Sequence, residues 1–338
     1  MRGCVLMNFM TPRPNQRTRI GLSPAAGLLL LSGLWAMASL SRDLLPHLGA
    51  DTLAPVQSQA VLYTVFAVAA ASVALGRREE FPRGYLAWAS AGIGVGLFVL
   101  PAALAACAQG WVSNLDRVAV FSLTPVFAVV LEPHLQGSAP AQGKSALAGS
   151  LAALAGILLI FPLDISSSLR TGVALCALIA AALAIAVTNC FAVRLAGNLP
   201  GGSTLPMAAQ AGAASALCFA AAAAYTPHAA WRWSALPIQL LQLLLLDLPA
   251  LFLLFWLMRR LSASRMTARF LLAPLFAIVA GIALEPASPQ ARAWLGIALL
   301  AGGAGWLVFA PPQESEEEKI ASLHVRTADS PGRPQSGI

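Results

Sequence analysis

The sequence predicts an all-α membrane protein of ten transmembrane helices, arranged as two inverted five-helix repeats. Three observations predict this. The composition is too apolar for a soluble chain, the apolar residues fall into ten runs of spanning length, and the second half repeats landmarks of the first in the same order.

The chain has 338 residues, of which 58% are hydrophobic and 10% charged, with a mean hydropathy of +0.74. An ordinary soluble domain is roughly 25% charged. The surplus apolar surface has to face lipid. The net charge of +7 does not indicate nucleic acid, because the basic residues lie in short segments between apolar runs and not on one face. Cys4, Cys107, Cys176, Cys190 and Cys218 form no CxxC pattern, and most sit in apolar runs, so they read as small hydrophobes. His47, His134, His228 and His324 fall in loops or the tail without metal-binding spacing. No metal and no cofactor is expected. The segment GIGVG at 92–96 follows no strand and lacks the Lys-Ser/Thr ending of a nucleotide loop; close helix packing by small residues accounts for it.

A spanning helix needs about 20 mostly apolar residues. The candidate runs are 22–40, 53–75, 84–106, 112–131, 145–161, 169–192, 203–224, 235–258, 264–284 and 290–309. Arg13, Arg17 and Arg19 followed by a run that ends AMAS at 36–39 resemble a signal peptide. That run is long enough to span, and keeping it makes the number of spans even, so it is read as the first helix. Cytoplasmic loops should be enriched in Lys and Arg. With residues 1–21 placed in the cytoplasm, the outer segments hold Arg42, Arg117, Arg170, Arg232 and Arg292; the other 16 of the 21 basic residues (21 minus 5) lie inside. Both termini are therefore expected in the cytoplasm. The stretch 311–338 is rich in Glu, Ser and Pro and is expected to be a disordered cytoplasmic tail. Arg outnumbers Lys and Ala is abundant, which suggests a GC-rich bacterial genome, and the expected location is the bacterial inner (plasma) membrane.

The repeat runs from FVLPAAL at 98–104 to LDLPAL at 246–251, pairing Pro101 with Pro249 (249 minus 101 is 148). At the same offset, NLDR at 114–117 meets SASR at 262–265. Next, TPVFAVVLEP at 124–133 meets APLFAIVAGIALEP at 273–286, and GSLAALAG at 149–156 resembles GIALLAGG at 296–303. Matching segments in one order indicate a duplication. Five spans per unit place the copies, 22–161 and 169–309, in opposite senses across the bilayer. Carriers with inverted repeats bind their cargo near the midplane between the halves. Pro125 to Glu132 is shorter than Pro274 to Glu285 by four residues (11 minus 7), about one helical turn, so the fourth helix is expected to be short on its cytoplasmic side.

Two five-helix halves, each with a Pro-Phe-Ala pattern in the fourth helix, then Leu-Glu-Pro and a Gly-rich fifth helix, resemble the EamA-type branch of the drug/metabolite transporter superfamily. GLWAMAS at 33–39 is similar to that family's first-helix pattern. The resemblance implies a ten-helix permease with a central cavity, peripheral fifth and tenth helices and no ATP-binding domain. Span two departs from the family in having Gln57 and Gln59 and no Arg.

The polar residues inside spans are the candidate site. Asp247 lies at mid-depth of span eight, where an ionised carboxylate costs about 2.5–3.5 kcal/mol even on insertion scales. It is read as a contact for a proton or a cationic group, or as a structural aspartate bonded to a neighbouring helix. Pro249, two residues on, interrupts the backbone bonding. Arg269, about a turn inside span nine, either reaches Asp247 or snorkels to the cytoplasmic interface, and snorkelling is the expectation. Gln59 and Tyr63 share a helix face; Gln239 lies two turns before Asp247, and Asn189 is alone in span six. Each of these can line a cavity or bond between helices. Pro101, Pro125, Pro249 and Pro274 are hinge candidates. Asn114 is read as the N-cap of span four, with Asp116 at the positive end of its dipole.

The expected function is secondary transport, with export as the direction the resemblance implies and proton coupling through Asp247. Expected partners are a small-molecule substrate and the lipid bilayer, with a homodimer left open and no nucleic acid. The alternatives are a transport-inactive membrane scaffold and a membrane-embedded transferase. An enzyme is not expected, because no acid–base or metal-binding cluster lies at an interface. The topology is testable. Reporter tags between spans five and six should report the outer compartment, and a cytosolic signal there would refute the inverted arrangement.

Overall fold

The computed structural model describes residues 22–47, 49, 51–136, 143–162, 168–199, 202–225, 231–284 and 290–310. The predicted N-terminal segment 1–21 and tail 311–338 lie outside them. The described residues form helices and connections with no strand. Ten rods result: α1 (Pro24–His47), α2 (Pro55–Gly76), α3 (Tyr85–Cys107), α4 (Asn114–Phe121 and Thr124–Gln136), α5 (Gly143–Ile160), α6 (Leu169–Asn198), α7 (Leu205–Ala224), α8 (Trp233–Leu257), α9 (Ala263–Thr267 and Arg269–Leu284) and α10 (Ala291–Phe309). Nine are long and apolar enough to cross a membrane, and α5 is a shorter apolar helix. No spanning window is more than 44% buried, and every rod keeps large apolar side chains on its outside. Those outward residues include Leu217, Val68 and Leu75. This is an architecture compatible with an integral membrane protein.

Helix starts follow ordinary capping chemistry. Ser113 Oγ accepts from the Asp116 amide at 3.1 Å and opens α4. Ser168 does the same for Thr171 at 3.1 Å in α6, and Ser262 for Arg265 at 3.4 Å in α9. The cap of α4 is therefore Ser113, not Asn114. Its counterpart is Ser262, which shifts the match in this region to 149 residues (262 minus 113), the same as Pro125 to Pro274. The expected shortening of the fourth helix is not found. α4 continues through Glu132 and Pro133 to Gln136, because Pro133 still takes a helical φ and loses only one backbone bond. Glu132 closes the contact with the other half of the chain. Its two carboxylate oxygens accept from the Ala263 and Ser264 amides at 2.9 and 3.0 Å, capping α9 at the positive end of its dipole.

Two wide turns recur at matched places. Val95–Val99 in α3 and Leu243–Asp247 in α8 are π-turns, again 148 apart (243 minus 95). In each, the next amide reaches five residues back, Leu100 to Val95 and Leu248 to Leu243. Each precedes a proline by one residue. The ring of Pro101 or Pro249 would crowd a regular α-helical carbonyl, and the wide turn makes room for it. Such turns often mark functional segments.

Lipid tails supply no hydrophobic drive between helices, so association depends on close packing. A Cβ at Gly94 would run into the Ala211 backbone between α3 and α7, and one at Gly96 would lie 2.5 Å from Thr188 Oγ1 on α6. Between α5 and α10, Gly149 faces Gly303 while Gly156 faces Gly296. Ascending one helix means descending the other, so the pair is antiparallel. These are the segments matched in sequence. α2 and α7 also run antiparallel, with Tyr63 stacked on Phe219 at 5.5 Å and Phe66 against Gly212. α3 packs on α6 as α8 packs on α1, and α4 on α6 as α9 on α1.

Gly156→Leu should force α5 and α10 apart, since a Cβ there would already lie 2.5 Å from Gly296 O. We expect a loss of about 1–3 kcal/mol, read as a lower melting temperature in detergent. Gly302→Ala, which meets nothing within 4 Å, should melt within about 0.5 kcal/mol of the parent.

Candidate functional site

The buried polar residues fall into two groups. The first surrounds Asp247, which is buried at the end of the α8 wide turn. Its partner is Arg42, not Arg269: Arg42 Nη2 donates to Asp247 Oδ1 at 2.8 Å. Arg42 was expected in an outer loop, but α1 continues to His47 and carries it. Its Nε also donates to the Ala38 carbonyl at 3.1 Å, so the guanidinium is fixed at two points. Gln242 Nε2 donates to the same carbonyl at 3.1 Å, a second tie between α8 and α1. The Arg42 side chain is 43% exposed and that of Asp247 only 8%, so the pair is a rim contact with one desolvated member.

Tyr63 lies within coulombic range of both charges. Its ring is buried between Phe98 at 4.8 Å and Phe219 at 5.5 Å. Gln59, one turn earlier on α2, is half-buried, and Gln239 is buried on α8.

The second group surrounds Arg269. This residue does not snorkel. It is 2% exposed, the largest of the fully buried side chains. Its guanidinium lies over Trp35 at 5.0 Å and Phe270 at 4.8 Å, contacts that favour a desolvated cation. Nη1 donates to Asn189 Oδ1 at 3.2 Å and to the Met266 carbonyl at 3.1 Å. Asn189 is held in turn, its Nδ2 donating to the Ile185 carbonyl at 2.8 Å. Sequence reasoning selected Asn189 and Arg269 separately, and the fold joins them.

A cavity of about 290 Å³ opens beside Arg269. Its wall is built by Trp35 of α1, Pro101, Ala102 and Ala105 of α3, Val118 and Phe121 of α4, Ile185 of α6, and Arg269, Phe270, Ala273 and Pro274 of α9. Pro101 and Pro274 thus face the same space. Pro125 is buried elsewhere on α4, and Pro249 points outward from α8. Arg42 is seven residues beyond Trp35 on α1, about two turns and nearly the same face. The Arg42–Asp247 bridge therefore closes the α1–α8 seam about 10 Å beyond the cavity along α1. Among the described residues no group of three or more His, Cys, Asp and Glu is placed to hold a metal.

Sequence reasoning missed Arg42, Gln242 and the aromatic wall. The continued helical spacing of SRDLL at 41–45 was the available sign for Arg42. Trp35 carried a signal only through the family-like GLWAMAS pattern, and nothing local distinguished Phe121 or Phe270 from lipid-facing rings.

No protein-family model matches the sequence, and no curated protein does. Twenty-six solved chains match the fold. One of them, described only as the crystal structure of a protein, is covered over 100% of its length by 86% of this chain, with a TM-score of 0.68 at 18% identity. At that identity the likeness concerns architecture alone.

Proposed function

We propose that this chain is a secondary transporter that moves a small metabolite by alternating access, as an EamA-type exporter of the bacterial inner membrane, with both termini in the cytoplasm. The observation that carries this reading is the cavity between α1, α3, α4, α6 and α9, which draws its wall from both halves of the chain. Its setting fits two inverted repeats. The packing of α3 and α4 on α6 is matched by that of α8 and α9 on α1, and the matched segments of α5 and α10 meet in opposite senses. A carrier of this kind binds near the midplane and rocks one half against the other.

In this reading the Arg42–Asp247 bridge is the outer closure. Protonating Asp247 removes the charge that holds Arg42, and the α1–α8 seam can part. Arg42 cannot lose its proton, so the carboxylate is the member that switches. The wide turns before Pro101 and Pro249 lack regular backbone bonding and supply bending points on α3 and α8.

Purified protein in proteoliposomes should show saturable flux that changes with pH. Asp247→Asn keeps the shape and an acceptor for Arg42 but holds the site permanently neutral. It should fold, and its flux should no longer respond to pH. Parent-like pH dependence in that variant would remove Asp247 from coupling, and absence of saturable flux for every solute class tried would remove the carrier reading.

A further inference from the structure

We propose that the cavity beside Arg269 binds a small monocarboxylate with an apolar body, its head on the guanidinium and its body among Trp35, Phe121 and Phe270. This rests on the carrier reading and names the class of its cargo.

Arg269 is a buried cation without a counter-charge. No carboxylate lies within ion-pair distance of it among the described residues. Its hydrogen bonds go to a neutral amide and a backbone carbonyl, both from Nη1. Nε is a buried donor with no acceptor. A lysine could respond to such a place by losing its proton, but a guanidinium keeps its charge. Burying a cation is costly unless an anion joins it. On the same end of α9, Glu132 is already taken by the Ala263 and Ser264 amides at 2.9 and 3.0 Å, and Asp247 is held by Arg42 at 2.8 Å. The described residues therefore leave Arg269 without an anion, and a bound ligand is the group that supplies it.

The wall selects which anion. A carboxylate matches the guanidinium fork and can accept from two of its donors at once. Arg269 is the one charged residue on the wall, so a ligand with several negative charges would leave most of them unpaired. Amines are repelled by the same cation and find no carboxylate there. The remaining wall is aromatic rings, alanine, valine, isoleucine and proline, which favour an apolar body. The volume of about 290 Å³ lies at the small end of ligand pockets, which run from about 300 to 1,000 Å³.

The test uses phenylacetate, phenethylamine and inorganic phosphate, titrated calorimetrically into the purified full-length protein. Phenylacetate should bind saturably, the amine should not, and phosphate should not displace it. Asn189→Asp gives Arg269 an internal carboxylate at nearly the same shape. That variant should retain or raise its melting temperature yet bind phenylacetate about tenfold to a hundredfold more weakly. Arg269→Lys, which keeps the charge but loses the fork, should weaken binding in the same direction. Unchanged affinity in a folded Asn189→Asp protein would overturn the proposal, as would phosphate binding equal to phenylacetate or no binding of phenylacetate by the parent. Saturable vesicle flux of another solute without phenylacetate binding would reject the cargo class and leave the carrier reading. Phenylacetate binding without vesicle flux would uphold the site and reject the carrier reading.

Discussion

Helices immersed in lipid gain nothing by hiding leucine from water, so this bundle depends on how closely its backbones can approach. The contacts that decide this are few. Gly94 against Ala211, Gly156 against Gly296 and Gly149 against Gly303 leave no space for a side-chain carbon. At such distances each peptide unit gains dispersion contacts that bulkier residues would forfeit. The abundance of alanine follows from the same requirement, since Ala181, Ala182, Ala186, Ala208 and Ala211 are fully or nearly fully buried. Leucine serves both places: Leu28, Leu31 and Leu254 are fully buried, whereas Leu75 and Leu217 face outward.

Close packing leaves little room for ions, and each of the two principal buried ionic residues is handled differently. Asp247 is neutralised across a helix seam by an arginine that remains partly in solvent. Arg269 has no neutralising group among the described residues and is instead supported by two rings, an amide and a carbonyl. The first arrangement keeps one member hydrated and leaves the other, Asp247, dependent on the pair for its charge. The second leaves one buried donor, Arg269 Nε, without an acceptor beside the cavity. Placing them on separate partners keeps the groups chemically independent, although α1 contributes to both through Arg42 and Trp35.

The rods were legible in the sequence because an apolar run of spanning length has few other uses. Their ends were less so. α1 was read to residue 40 because Ser41, Arg42 and Asp43 interrupt the apolar run, whereas the helix persists to His47 and its Arg42 is satisfied by a residue 205 positions away. Arg269 was expected to reach toward water, as long cations near helix ends do. It stays inside because Trp35, Phe270 and Asn189 converge on it from other parts of the chain. The cap at Ser113 differs by one residue from the expected Asn114, since either type can accept the amide bond and only the local turn decides. Polar candidates could thus be selected one by one from composition and depth, but their pairing is a tertiary property that no local window contains.

The antiparallel seam between α5 and α10 has a bearing on how the molecule is made. Gly149 and Gly156 meet their partners near the end of the described chain, at Gly303 and Gly296. During synthesis α5 therefore enters the bilayer with a bare glycine groove and keeps it until α10 has been made. Assembly of the first half waits on α10. A truncation that removes only α10 leaves an early helix unsheltered as well as a late one missing, and exposes it to quality-control proteolysis.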